Sequence, residues 1–158
     1  MNIIPAYDAL DDIRQLFREY ADSLGHNLCF QSFEHELAGL PEPYAPPNGR
    51  LYIASCDSAI AGCIALHPFS ADVAEIKRLY VRTQFRGGGI GKALVKSVIE
   101  DATHIGFKQI VLETLYSMRD AMRLYKKLGF ENIEPYCDIP IEEAIYMGMN
   151  LLAFDKYN

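Results

Sequence analysis

Seven consecutive residues, Arg86-Gly87-Gly88-Gly89-Ile90-Gly91-Lys92, have the composition of an anion grip. They lie between a strand-like run, Ile76 to Val81, and a helical one, Ile90 to His104. The first N–H groups of a helix have no intrahelical partner, and the helix dipole favours negative charge at that end. Glycines there let an anion approach the backbone closely. The chemistry expected is recognition of a phosphorylated ligand. Lys77, Arg78, Arg82, Arg86, Lys92 and Lys96 fall between positions 77 and 96 with no Asp or Glu among them, although the chain carries net charge -6.

Spacing excludes two phosphate-binding motifs. A P-loop needs a hydroxyl after its Gly-Lys, and Gly91-Lys92 is followed by Ala93, while Arg86 occupies the position of its first glycine. A dinucleotide fingerprint begun at Gly87 and Gly89 puts Lys92 where its third glycine belongs, and no acidic residue follows near twenty positions on. What remains is R-x-x-G-x-G, from Arg86 to Gly91; by itself this also suits an ordinary strand-to-helix turn.

The flanking elements must position that loop. The 158 residues, half of them hydrophobic, suffice for one domain spanning 1–158 with a sizeable core. Ala6, Leu10, Ile13, Phe17, Tyr20 and Leu24 recur at helical spacing, which predicts an amphipathic helix ending at Gly25. A second helix is expected over 30–40, followed by an extended loop around Tyr44 imposed by Pro41, Pro43, Pro46 and Pro47. Leu51 to Cys56 and Ala59 to Leu66 read as a hairpin turning at Asp57-Ser58, and Val73 to Val81 as a third strand before the glycine loop. Beyond it come a helix from Ile90 ending near Gly106, a strand from Gln109 to Thr114, a helix from Ala121 stopped by Gly129, and a strand from Ile145 to Leu151.

Composition narrows partners and compartment. An excess of 21 acidic over 15 basic residues argues against general nucleic-acid binding and suits a cationic ligand. No apolar run reaches the length of a membrane span and the start lacks a signal-like pattern, so no membrane association and a cytoplasmic location are expected. Cys29, Cys56, Cys63 and Cys137 lack metal-ligand spacing, His26, His35, His67 and His104 are scattered, and no metal is implied.

Three segments together are similar to the GNAT superfamily of acyl-CoA-dependent N-acetyltransferases. Glu75 to Val81 resembles its fourth strand, Arg86 to Gly91 its pyrophosphate loop, and Leu124-Tyr125-Lys126-Lys127-Leu128-Gly129-Phe130 the end of its LY-x-x-x-GF helix. The run Cys29 to Pro41 and the pair Pro135-Tyr136 resemble one bacterial-type subgroup. One departure stands out: many relatives place a cofactor-contacting Asn seven residues before the helix tyrosine, where this chain has Met118 beside Ser117.

The resemblance implies an α/β fold, with a mixed, mostly antiparallel sheet splayed between its fourth and fifth strands and about four flanking helices. Acetyl-CoA would lie in the splay, its pyrophosphate on the amides of Gly87, Gly88, Gly89, Ile90 and Gly91, and its pantetheine along Leu79, Tyr80 and Val81. Arg82, Arg86 or Lys92 would neutralise phosphate, although each also suits a solvated element end. Transfer to an ammonium whose pKa is near 10 requires a proton acceptor, and the leaving thiolate requires a donor. Glu75 is the candidate base and Tyr125 the candidate acid. The bland readings are a strand-edge carboxylate paired with Lys77 or Arg78, and a core aromatic. His67 would be a second base only if it faced the pocket, and Cys137 lacks the partner that an acyl-cysteine would need. The expected activity is direct acetyl transfer to a primary amine in a ternary complex; the alternative is a non-catalytic acyl-CoA sensor. The acceptor, the acyl length and the oligomeric state, a homodimer included, stay open.

Overall fold

The structure is a computed structural model and describes residues 1–24, 30–137 and 143–152. Its strands are β1 (Asn2–Pro5), β2 (Arg50–Cys56), β3 (Ala59–Pro68), β4 (Val73–Val81), β5 (Gln109–Leu115), β6 (Glu131–Asn132) and β7 (Ala144–Asn150). The helices are α1 (Leu10–Leu24), α2 (Phe30–Gly39), α3 (Ile90–Ile105) and α4 (Arg119–Leu128). One sheet holds the strands in the order β1-β2-β3-β4-β5-β7-β6. Every pair is antiparallel except β4 with β5.

That parallel pair makes the splay. Pairing runs only from Val73 with Gln109 to Ile76 with Leu112. Both strands then continue, β4 to Val81 and β5 to Leu115, without bonding to each other. The expected opening between the fourth and fifth strands is present.

Local chemistry accounts for the turns. Asp57 and Ser58 have φ of 49° and 70°, the paired positive angles of a two-residue hairpin loop whose twist matches its strands. Helix α3 ends at Gly106 with φ 107°, where the Gly106 and Phe107 N–H groups close back on Thr103 and Ala102 carbonyls. The two faces of the sheet bury different cores. Beneath α3 and α4 lie Ala61, Ile64, Leu66, Ala74, Ile76, Ile110 and Leu112; under α1 and α2 lie Leu51, Ile53, Cys63 and Ala65. Strand β3 is covered on both sides, and its unbroken apolar run follows from that.

Several expectations shift. Helix α1 begins at Leu10, because Ala6 continues the first strand by donating its N–H to the Leu51 carbonyl. Four strands therefore precede the glycine loop. Strand β1 leaves little signal in the sequence because it is short and ends in Pro5, which an edge strand tolerates. Strand β6 is only two residues long. Pro41 to Tyr44 forms a 3-10 turn in place of an extended loop, with Tyr44 only 1% exposed and its ring edge-on to Phe17. The last strand stops at Asn150, one residue before Leu151. Gly25, His26 and Cys29 lie outside the described residues.

Candidate active site

The glycine loop joins the end of β4 to α3. Gly87 and Gly89 both have φ of 86°, which a side chain disfavours, and Gly89 caps α3. The first helical bond runs from the Ala93 N–H to the Gly89 carbonyl. The N–H groups of Ile90, Gly91 and Lys92 precede that bond and belong to the helix's unpaired first turn. These three residues line a groove of about 680 Å³ together with Leu79, Tyr80, Val81, Arg86, Gly87 and Gly89, and with Ser117 and Met118 from the segment before α4. Gly88 is the one expected loop residue that does not line it.

The expected basic side chains divide. Arg82 turns away from phosphate: its guanidinium donates to Glu19 at 3.0 and 2.8 Å and to the Ile60 carbonyl at 3.1 Å. Arg86 stays at the groove, bonded to the Val81 carbonyl at 2.8 Å with its guanidinium 5.9 Å from the Tyr80 ring centroid. Lys92 borders both this groove and a neighbouring cleft that α4 supplies with Arg123 and Lys127. That cleft also holds Glu100 and Asp120, and Asp120 pairs with Arg123 at 3.7 Å, so Lys127 is the basic residue that α4 adds there without a partner of its own among the described residues.

A second cavity, about 280 Å³, lies where β4 and β5 part, and shares Tyr20, Leu24, Leu79, Leu115, Met118, Ala121 with the groove. Glu75, Glu113 and Tyr125 line it together. The two residues singled out for proton transfer are thus brought to one space by elements separated by fifty positions.

The L-Y-K-K-L-G-F segment has a structural reason for its spacing. Gly129, with φ 107°, donates its N–H to the Lys126 carbonyl, and Phe130 donates to the Tyr125 carbonyl. This is a Schellman cap, and its accompanying apolar contact is the Tyr125–Phe130 ring pair, 5.6 Å between centroids. The cap thereby holds Tyr125 on the last turn of α4, 5% exposed. Burial pushes its phenol up, with Tyr20 adding to the effect, so the hydroxyl keeps its proton at neutral pH. That hydroxyl makes no hydrogen bond to any described residue.

Glu75 is 9% exposed and pairs with neither Lys77 nor Arg78. Tyr136 donates to its Oε2 at 2.8 Å, and His67, directly opposite on β3, places Nδ1 3.6 Å from Oε1. At 3.6 Å this is an ion-pair distance and not a hydrogen bond, and the buried Nδ1 has no hydrogen-bond partner among the described residues. Burial pushes the Glu75 carboxyl up, but His67, Lys77 and Tyr136 outweigh it and hold it below the usual range, ionised. Glu113 differs: burial and then the Glu75 charge push it up, and its carboxylate pairs with no described residue. The Cys137 thiol lies 3.0 Å from the Tyr146 hydroxyl and pairs with no His among the described residues.

Tyr20 and Glu113 were missed. Tyr20 reads as one more apolar position on α1, yet it borders both spaces. Glu113 interrupts the apolar strand Gln109–Leu115, and a charge inside such a run was the available signal.

Comparison with known proteins agrees with this geometry. Residues 10–130 match the acetyltransferase (GNAT) family. An uncharacterized N-acetyltransferase of Schizosaccharomyces pombe is 40% identical over 144 residues, covering 90% of this chain and 88% of its own. A GNAT-family acetyltransferase of Staphylococcus aureus superposes with a TM-score of 0.77 at 20% identity, over 95% of this chain and 98% of its own. One from Elizabethkingia anophelis, solved with acetyl-CoA bound, is 30% identical with a TM-score of 0.56, over 65% of this chain and 76% of its own. With 40% identity along nine-tenths of its length and the splayed sheet that its sequence implied, the chain belongs to the GNAT acetyltransferase family.

Proposed function

We propose that the protein transfers an acetyl group from acetyl-CoA directly to a cationic primary amine held beside it. The observation that carries this reading is the splay: one cavity holds a carboxylate and a protonated phenol, and it shares its walls with a groove lined by the first turn of α3, where helix amides have no intrahelical partner. Pyrophosphate suits the amides of Ile90, Gly91 and Lys92, because they open the helix and the preceding Gly87 and Gly89 have nothing within 4 Å of where a Cβ would sit. Pantetheine suits the unpaired end of β4 from Leu79 to Val81, which lacks a strand partner on the β5 side. The related protein solved with acetyl-CoA supports that donor.

The chemistry follows from two proton positions. Glu75, ionised, accepts a proton from the acceptor's ammonium; the freed amine nitrogen bonds to the acetyl carbonyl carbon; the carbon–sulfur bond breaks as Tyr125 gives its proton to the departing sulfur, and the second proton shed by the nitrogen returns the Tyr125 phenolate to phenol. Glu113 adds an unpaired carboxylate to the same cavity, and the fork of Arg78 is already filled by Glu36. Lys77 also lines the cavity, and two carboxylates against its single charge leave a net negative balance that favours a cation there. The test is CoA release from acetyl-CoA across a panel of alkylamines, diamines and amino acids. Turnover of alkylamines or diamines is expected. CoA binding with no turnover of any amine would leave an acyl-CoA sensor.

A further inference from the structure

Strand β4 carries a bulge at the point where the splay opens. Between the pairs Cys63 with Tyr80 and Ala65 with Lys77, one residue of β3, Ile64, faces two of β4, Arg78 and Leu79. Arg78 has φ of +61°, the left-handed conformation that glycine ordinarily supplies in such a bulge. An arginine persists there only if its surroundings over-determine it.

They do so from several directions. Arg78 Nε and Nη2 donate to the two oxygens of Glu36 at 3.0 and 2.7 Å, a bidentate pair with side chains 11% and 13% exposed. Glu36 also accepts from the Tyr44 hydroxyl at 2.9 Å. The guanidinium lies 5.8 Å from the Tyr20 ring centroid and 5.7 Å from that of Phe33, and the Cys63 thiol donates to the Arg78 carbonyl at 3.4 Å. Glu36 sits in the run from Cys29 to Pro41 and Tyr44 in the proline-rich turn after it, two features that proton transfer alone does not explain. Both are spent on one backbone angle.

We infer that Glu36 and Arg78 are positioning residues that clamp the β4 bulge from α2, and so set which backbone groups of Leu79, Tyr80 and Val81 face the cofactor groove. The step is geometric. Losing the bulge slips the rest of β4 by one residue against β3, and a slip of one turns each side chain and each amide to the opposite side. The inference rests on the reading of that strand end as the pantetheine edge.

Glycine separates the clamp from mere packing, because it adopts a positive φ without help. In Glu36→Gln, CoA dissociation constants measured by calorimetry should rise about tenfold, the affinity equivalent of one residue's left-handed cost. The double variant Arg78→Gly/Glu36→Gln keeps the angle and leaves no buried charge unpaired, and should return CoA affinity to within about threefold of wild type. It also decides the matter if Glu36→Gln alone does not fold. A folded Glu36→Gln with wild-type CoA affinity overturns the clamp, as does a double variant binding no better than the single one. Wild-type protein that binds no CoA overturns both this inference and the proposed donor, whereas normal wild-type binding with an unaffected Glu36→Gln overturns the clamp alone.

Discussion

Removing the Tyr125 hydroxyl while keeping its ring separates proton donation from packing. The hydroxyl has no described partner and the ring keeps its contact with Phe130, so Tyr125→Phe should bind CoA normally. Its kcat should fall about 100-fold, the usual scale of general acid catalysis, in an assay limited by chemistry. Glu75 is held below its ordinary pKa, so it is ionised and able to accept a proton through the neutral range. Glu75→Gln should therefore lose most activity at low pH, where the acceptor is ammonium, and recover partly as pH approaches about 10. A pH profile parallel to wild type would remove Glu75 from the reaction. At the loop, Gly89→Val confounds folding with binding, since φ is 86° there; Gly91 has no such angle. Gly91→Val should weaken CoA binding, as titration of the folded variant would register, and should lower the melting temperature only as far as its branches press on Leu124, 3.4 Å from the Cβ.

At the scale of elements, helix α2 is fastened by a titratable pair. Burial pushes Glu36 up, but Arg78 and Tyr44 outweigh it and hold it below its ordinary value. A depressed carboxyl contributes stability that is present above the unfolded value, about 4.3, and lost as pH falls through the lower folded value. Hydrogen exchange in α2 should accelerate below about pH 4 before exchange in α3 does, because α2 joins its apolar packing to the Glu36–Arg78 pair whereas the six buried side chains of α3 are all apolar. Simultaneous loss of both helices would contradict this. The cap of α4 gives a second handle. Gly129→Ala forces a side chain onto φ 107° and should cost about 1 kcal/mol or more, visible in urea unfolding.

For the whole molecule, a ligand that binds only the folded state raises its stability by mass action. CoA at 100 times its dissociation constant adds about 2.7 kcal/mol, or about 5–10 °C for a chain of this size. ATP and NAD should raise the melting temperature far less. Tighter binding of either nucleotide than of CoA would sink the assignment.

What the amino-acid order determined by itself was whatever depends on near neighbours: the Asp57-Ser58 hairpin, the glycine loop opening α3, the Gly129 stop with Phe130 returning onto Tyr125, and the apolar faces of α1 and α3. Each follows from local dihedral preference or helical period, which a window of a few residues contains. Only the tertiary structure decided which charges meet. Arg82 looks like a phosphate ligand in the linear order and Arg78 like part of the same basic run, yet they are neutralised by Glu19 and Glu36 from 63 and 42 positions away, while Lys92 and Lys127 meet across the cleft beside the groove. The partners of Glu75, His67 across the strand and Tyr136 at a separation of 61, were equally invisible. Pairing between distant charges depends on strand register and on which face each residue takes. A single bulge reverses that face, and nothing in the neighbourhood of Arg78 announces one.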